Sequence, residues 1–570
     1  MAKLMVYAGG YSEQDLVDAL LTTTMTSKGA SGFTLSYSGG SLASLTIRGK
    51  NLTYDASNRL TGGLITQIEY RGFEGTLLWT ASSLAFDAAS MQAAVLDLAA
   101  GDSLPFETLM QSPTWVATGG NISDGFYGGY FADSLNGGWG NDVLVGFAGN
   151  DKLVGGPLTG PLASGAENGD DYDTVDYLQE WTFNLMTGGP AGAITVDLRL
   201  ASGQVTDTYG NQDTLRGIEW IIGTPNADTF HGSDTTIYEA FSGNYGADVI
   251  DGGGGLNDEV RYDRESGTHG VVVDLSAGTG VDTFGDTDTL LNIERVRGTA
   301  YADTLTGSNA DNVLMGLAGN DILAGGVGYD TIRYDYDSST ASSSGSYGRQ
   351  GIRVNLQVSV DAFGIIHGIA RDGYGSVDTL TSIENVRGTA YNDRIVGSNG
   401  ANTLYGLDGG DYLDGGAGVD KLYGGAGDDI LLGGNSQDTL DGGDGADSLV
   451  GGIANDRLTG GSGFDTFVFD TALSATVNVD TITDFSAVDD LVQLSSKIFS
   501  SLAVGSLATS AFGTGAVATT ATQRILWDGA TGNLLYDADG NGAGAAIQFA
   551  HMDAVGGLIP TLTAANFVVV

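Results

Sequence analysis

Between Gly388 and Val468 a carboxylate returns every nine residues: Asp393, Asp411, Asp420, Asp429, Asp438, Asp447, Asp456 and Asp465, with Asn402 once in the same place. Each stands sixth in a unit that opens with Gly, as in GGAGVDKLY and GGAGDDILL (415–432). If successive turns stack about 4.8 Å apart, as strands in a sheet do, these carboxylates form columns. Two such charges about 5 Å apart repel by roughly 3 kcal/mol at an effective dielectric near 20. Either protons or cations must sit between them. The ligands on offer are carboxylates and the carbonyls that glycine leaves uncovered. Hard oxygen donors in a flexible arrangement suit Ca²⁺; Mg²⁺ demands a stricter octahedron, and zinc lacks its nitrogen and sulfur partners here. A single such Asp could simply cap its turn; many in register point to bound calcium.

The same unit recurs upstream. GGYFADSLN, GGWGNDVLV and GFAGNDKLV (128–154) place Asp133, Asp142 and Asp151. Residues 298–333 place Asp303, Asp321 and Asp330, with Asn312 between the first two. A looser block over 223–261 places Asp228, Asp248 and Asp258. Weaker or absent calcium is expected where Asn312 and Asn402 replace Asp. The same holds for GSDTTIYEA (232–240), which has lost both Gly-Gly and Asp.

The elements that position these residues follow from the period. Position eight is apolar throughout the nine units: Ile395, Leu404, Leu413, Leu422, Leu431, Leu440, Leu449, Leu458 and Phe467. On a helix, residues nine apart fall on opposite faces, and glycine this dense opposes helix. A six-residue turn followed by a three-residue strand fits, with glycine supplying positive φ and position eight the core. Consecutive strands then alternate between two facing sheets, two units per coil. A longer repeat overlies the first, in AITVDLR…QDTLRGIEW (193–230), GVVVDLS…DTDTLLNIE (270–308) and GIRVNLQ…VDTLTSIEN (351–398). It reads as duplicated segments that lengthen or thicken the solenoid.

GGAGVDKLYGGAGDDILLGG resembles the glycine-rich repeat of RTX proteins, GGxGxDxUx with U a large apolar residue. The resemblance covers 128–468 with interruptions. It implies a parallel β-roll with Ca²⁺ in the turns on both sides, bound in multiple copies. FVFD, VDTITDFSAVDDLVQL, RILWDGATGNLLYDADGNG and LTAANFVVV resemble the C-terminal region of RTX proteins exported by type I secretion. That resemblance implies the type I secretion apparatus as partner and an extracellular or cell-surface location on a Gram-negative bacterium. Asp537 and Asp539 in DADGNG could bind a further calcium or cap a turn. Gln548 stands where an EF-hand has Glu.

The expected fold is therefore mainly β, a parallel β-roll or β-helix solenoid with a domain at each end. Residues 1–120 read as a small mixed α/β domain. SEQDLVDALL and SLAFDAASMQAAVLDLAA have helical apolar spacing, and alternating strand-like stretches with turns such as Gly39-Gly40 lie between them. Residues 121–192 form the first repeat block and a connector. Residues 193–333 form a solenoid with longer repeats, 334–468 a longer repeat plus the nine-unit roll, and 469–570 a β-rich secretion-like domain.

Composition bounds the function. With 70 acidic and 23 basic residues the net charge is −47, which repels nucleic acid and anionic membranes and attracts cations. There is no cysteine, and the four histidines lie far apart. No apolar run suits a membrane span or an N-terminal signal, so export is expected to rely on another address. Neither His-Glu-x-x-His nor Gly-x-Ser-x-Gly occurs, and a non-enzymatic chain is expected. The leading reading is a secreted calcium-binding structural protein that folds on Ca²⁺ and self-associates into a surface layer, filament or matrix. A calcium-dependent adhesin or carrier that binds a cell-surface glycan or another macromolecule is the second. A hydrolase built on an unrecognised carboxylate pair is the third.

Overall fold

The structure is a computed structural model. It describes five strands between residues 24 and 87, and residues 116–570 apart from 120–122, 157–171, 188–190, 338–349, 361–365 and 475. The predicted helix over 12–21 and the Gly39-Gly40 turn lie outside the described residues. The described chain is mostly strand, and its contacts divide it into two units: residues 1–267 with 278–295, and residues 268–277 with 296–570.

The first unit opens with an antiparallel meander of strands Thr24–Gly29, Gly32–Ser36, Leu42–Tyr54, Leu60–Gly72 and Leu77–Asp87. The last corrects the start of the helix expected over 83–100: residues 83–87 are strand, and 88–100 lie outside the described residues. Leu84 and Phe86 also fit a period of two, and pairing with Leu60–Gly72 decides for the strand. Strand Val116–Thr118 pairs antiparallel with Leu77–Asp87 and parallel with Ser134–Asn136, so the meander adjoins the roll through a shared sheet. The following strands are parallel and short: Ser134–Asn136, Val143–Val145 and Lys152–Val154 occupy positions seven to nine of their units, as predicted. One element had not been anticipated, a helix over Tyr177–Thr187. Asp176 caps it by accepting from the Gln179 backbone N–H at 3.0 Å, and Phe183 packs on Val145 and Phe147. Further along, Arg261 is buried over Trp220, its Cζ 3.7 Å from the ring centre. It pairs with Asp263 at 2.8 Å and with the buried Glu259 at 3.8 Å.

The second unit holds the regular roll. Strands Thr403–Asp408 and Lys421–Ala426 pair in parallel, as do Tyr412–Ala417 and Ile430–Asn435 on the facing sheet. Register is Leu404↔Leu422 and Leu413↔Leu431, so one coil is two nonapeptides. All nine position-eight residues are fully buried. Between the sheets they form a core one residue thick per strand. The strands are longer than three residues because the next Gly-Gly also pairs, as in Leu407↔Gly425. That approach needs glycine: a Cβ on Gly425 (φ +117°) would lie 1.9 Å from the Leu407 carbonyl oxygen. Past Phe469, strands Asp480–Ile482 and Leu491–Leu494 continue the two sheets. An antiparallel set, Ile525–Asp528, Asn533–Tyr536 and Ile547–Met552, and the last strand, Phe567–Val569, join onto them.

Candidate metal centre

Each nonapeptide turn buries its position-six side chain. All seventeen aspartates predicted as ligands are at most 4% exposed. Burial without a cation raises a carboxyl's affinity for protons, and the ladder follows this rule. Asp411 and Asp438 are pushed up to about 8 by burial, and Asp447 to about 7. Asp393, Asp420 and Asp429 rise to about 6 for the same reason. Asp411, Asp438 and Asp447 are raised further by the neighbouring aspartates of their own columns.

The geometry is a ladder of period 18. The backbone N–H of Asp393 donates to Asp411 Oδ1 at 2.7 Å, Asp411 to Asp429 at 2.7 Å, Asp429 to Asp447 at 2.8 Å and Asp447 to Asp465 at 3.0 Å. In the other column Asn402 donates to Asp420 at 2.8 Å, Asp420 to Asp438 at 2.8 Å and Asp438 to Asp456 at 2.9 Å. Upstream, Asp142, Asp151, Asp248, Asp321 and Asp330 accept from Asp124, Asp133, Asp228, Asp303 and Asn312 in the same way. One oxygen of each of these accepting carboxylates is thus used by the backbone.

The second oxygen separates the units into two kinds. In most units whose second residue is neither Thr nor Ser, the carboxylate is open: Oδ2 of Asp411, Asp420, Asp429, Asp438, Asp447 and Asp465 is buried with no donor, as is that of Asp151, Asp248, Asp321 and Asp330. In Asp258 both oxygens are in this state. Where Thr follows the first Gly, the carboxylate is closed. Thr389 donates its amide to Asp393 Oδ2 at 2.6 Å and its hydroxyl to Oδ1 at 2.9 Å. Thr299 closes Asp303 and Thr224 closes Asp228 identically. Asp133 Oδ2 accepts from the Gly129 amide at 2.6 Å. Asn312 and Asn402 are filled by Ser308 and Ser398. In the degenerate unit after Gly232, Glu239 accepts from the Ser233 amide at 2.7 Å and so does the work of the missing Asp.

The open oxygens face carbonyls. A Cβ built on Gly442 would lie 2.3 Å from Asp447 Oδ2 and 2.6 Å from the Gly460 carbonyl oxygen; on Gly424 the corresponding atoms are Asp429 Oδ2 at 2.2 Å and Gly442 O at 2.5 Å. Beside these two glycines, a charged oxygen and a carbonyl of the next coil border one small space. This all-oxygen donor set suits Ca²⁺. Among the described residues no three His, Asp or Glu side chains form a metal-holding group, which accords with a site that draws one carboxylate per turn and takes its other ligands from the backbone.

The ladder also includes acids outside the strict repeat, which the nonapeptide pattern had missed. Asp151, Asp248 and Asp321 donate their N–H to Asp213, Asp288 and Asp378. Asp173, Asp258 and Asp330 donate to Glu219, Glu294 and Glu384. Asp456 and Asp465 donate to Asp480 and Asp490. The signal was present as acid-x-apolar at the start of each strand: Asp213-Thr-Leu, Asp288-Thr-Leu, Glu294-Arg-Val. In DADGNG, Asp539 Oδ2 accepts the Gly544 amide at 3.0 Å and so holds its own turn.

Two parallel sheets joined by glycine turns, with a buried carboxylate beside a carbonyl at turn after turn, define a calcium-binding β-roll. The family model of the RTX calcium-binding nonapeptide repeat, in four copies, matches residues 119–157, 297–332, 387–422, 405–440 and 432–467. The chain carries RTX calcium-binding nonapeptide repeats, and its cofactor is Ca²⁺ in multiple copies. No curated protein matches it. Among solved structures, the extracellular lipase LipA from Serratia marcescens aligns at 12% identity over 92% of this chain and 80% of that one, with a TM-score of 0.12; a likeness of that size carries no argument.

Proposed function

We propose that the protein is a secreted, non-enzymatic structural protein whose roll folds on calcium outside the cell and which then self-associates into a layer, filament or matrix. The observation that carries the calcium part is the run of buried, donor-less Oδ2 atoms in the glycine turns. Such oxygens oppose folding at neutral pH until a cation fills the turn, and binding free energy then becomes folding free energy. Where free calcium is scarce the repeats stay open; at sites of about 10⁻⁴–10⁻³ M affinity they close once calcium is plentiful. The individual ligands we assign are the turn aspartates with an open oxygen, each with neighbouring backbone carbonyls. Export by a type I apparatus through residues 469–570 fits this order of events. Among the described residues no helix is long and apolar enough to cross a membrane.

Self-association is supported by apolar side chains left at the surface of the roll and its flanks, including Val419, Ile453, Phe464 and Val488 at 55–90% exposure. Electron microscopy of the purified chain in chelator and in millimolar calcium tests the reading. Ordered sheets or fibres that appear only with calcium are expected. Monomers that persist at every calcium level would remove the assembly role, and β circular dichroism unchanged by chelator would remove the folding role.

A further inference from the structure

The longer repeats carry a second acidic pattern that the nonapeptides do not explain. Each copy has Tyr-x-x-acid followed by Asp-[Thr/Gly]-[Tyr/Phe]-Gly-x-x-Asp: Tyr177 and Glu180 with Asp207 and Asp213, Tyr262 and Glu265 with Asp282 and Asp288, Tyr334 and Asp337 with Asp372 and Asp378.

The fold brings each set to one place beside a roll aspartate. The last Asp accepts two bonds. Its Oδ1 takes the N–H of Asp151, Asp248 or Asp321 at 2.9, 3.0 and 3.1 Å. Its Oδ2 takes the hydroxyl of Tyr177, Tyr262 or Tyr334 at 2.9, 3.2 and 3.0 Å. The first Asp folds its own loop: Asp282 Oδ1 accepts from the amides of Phe284, Gly285 and Asp286, and Asp372 Oδ1 from those of Tyr374 and Ser376. The residue after it donates its amide to the acid of the tyrosine motif, Thr208 to Glu180 at 3.1 Å, Thr283 to Glu265 at 3.0 Å and Gly373 to Asp337 at 2.8 Å. One arrangement is thus built three times from stretches of chain that are far apart in sequence.

Each set buries four carboxyl groups together, and oxygens are left over in every one. Glu180 is fully buried with Oε2 undonated, and Asp151 Oδ2 is undonated too; Asp248 Oδ2 and Asp282 Oδ2 stand open in the second set with Glu265 Oε1; Asp321 Oδ2, Asp337 Oδ1 and Asp372 Oδ2 stand open in the third. Eleven of the twelve acids are buried, and Glu265 is half-buried. The strongest influences on each, after burial, are hydrogen bonds and other acids, with no basic side chain among them.

We propose that each quartet is a further divalent-cation site, three per chain, lying outside the nonapeptide turns and suited to Ca²⁺ by its all-oxygen, multi-carboxylate donors. The quartet shares only its roll aspartate with the turn sites, so it stands on its own acids, which no nonapeptide supplies. In the metal-free fold the open oxygens do not meet at one point; occupation requires the side chains to swing inward around the hydrogen bonds that anchor their other oxygens. The tyrosine and the loop amides would then hold the set in place while the open oxygens take the ion.

Equilibrium dialysis of the full chain against Ca²⁺, with the bound metal counted per chain, tests this. The triple variant Glu180→Gln, Glu265→Gln, Asp337→Asn touches no nonapeptide and is expected to bind three fewer calcium ions than the parent, with the same circular dichroism in saturating calcium. Glu265→Gln alone, at the half-buried member, is expected to lose one and serves if the triple variant does not fold. An unchanged count in the folded variants overturns the proposal and assigns the quartets to protons. Asp429→Asn with Asp447→Asn in the same assay reports on the turn sites. Their failure to lose metal would refute the turn ligands without bearing on the quartets.

Discussion

The calcium-free protein should fold better in acid. Take the six turn aspartates Asp393, Asp411, Asp420, Asp429, Asp438 and Asp447. In the metal-free fold they titrate between about 6 and about 8, against 3.8 without the fold. A carboxyl raised on folding contributes stability that is fully present below its unfolded value and is lost as pH climbs through its folded value. The window therefore runs from about pH 4 to about pH 8. At pH 5 the folded block binds nearly all six protons and the open chain almost none, an uptake of about five; at pH 7 the uptake falls to about two or three. Five protons correspond to about 7 kcal/mol per pH unit, and halving this for residual solvent screening leaves about 3–4. The assay is far-ultraviolet circular dichroism of protein stripped of calcium by dialysis, read from pH 4 to 8, with proton uptake measured on refolding. β signal should appear as pH falls and vanish towards pH 8, and millimolar calcium should flatten the profile. A stripped protein whose β content is the same at pH 8 as at pH 5 would refute the reasoning, because the open oxygens would then carry no charge penalty.

Other expectations concern packing. Leu431→Ala empties a fully buried position in a core one residue thick and should cost about 3 kcal/mol. In calcium, amide exchange of strand Ile430–Asn435 should rise about a hundredfold, with smaller effects several coils away because each coil touches only its neighbours. Arg261→Ala removes a cation stacked on Trp220 and one partner of the buried Glu259; Arg295 Nε, 3.4 Å from Glu259, remains. The cost should fall near the lower end for a broken buried pair, about 3 kcal/mol, read as faster exchange in Trp220–Ile222.

The roll was legible because its constraints recur at a fixed spacing. Leu422 and Leu431 declare the core and Asp420 and Asp429 the turns, and nine units in register leave few other arrangements. The division of turns into open and closed was not read in advance, although part of its cause lay in the second residue. Thr389 can fill Asp393 from within, whereas Gly425 leaves Asp429 an unfilled oxygen. The quartets escaped because Asp151, Glu180 and Asp213 meet only after the chain has detoured through a helix, so no local period links them. That helix offers eleven residues and a single cap, too little signal against the surrounding strands. In the meander, residues 83–87 fit either period, and a neighbouring strand, absent from any local window, settled the matter.

The register Leu404↔Leu422 has a consequence for how such a chain can change length. The roll behaves as a threaded rod whose full turn is 18 residues and whose advance is about 4.8 Å. Inserting or deleting 18 residues moves whatever follows along the axis without rotating it. A change of nine keeps every apolar side chain inside yet exchanges the two sheets, so everything downstream is turned through half a revolution. Growth by whole turns leaves the attachment of residues 469–570 to the roll unchanged, and growth by half turns reverses which sheet receives it. Parity, more than length, is what lengthening or shortening of this block has to preserve.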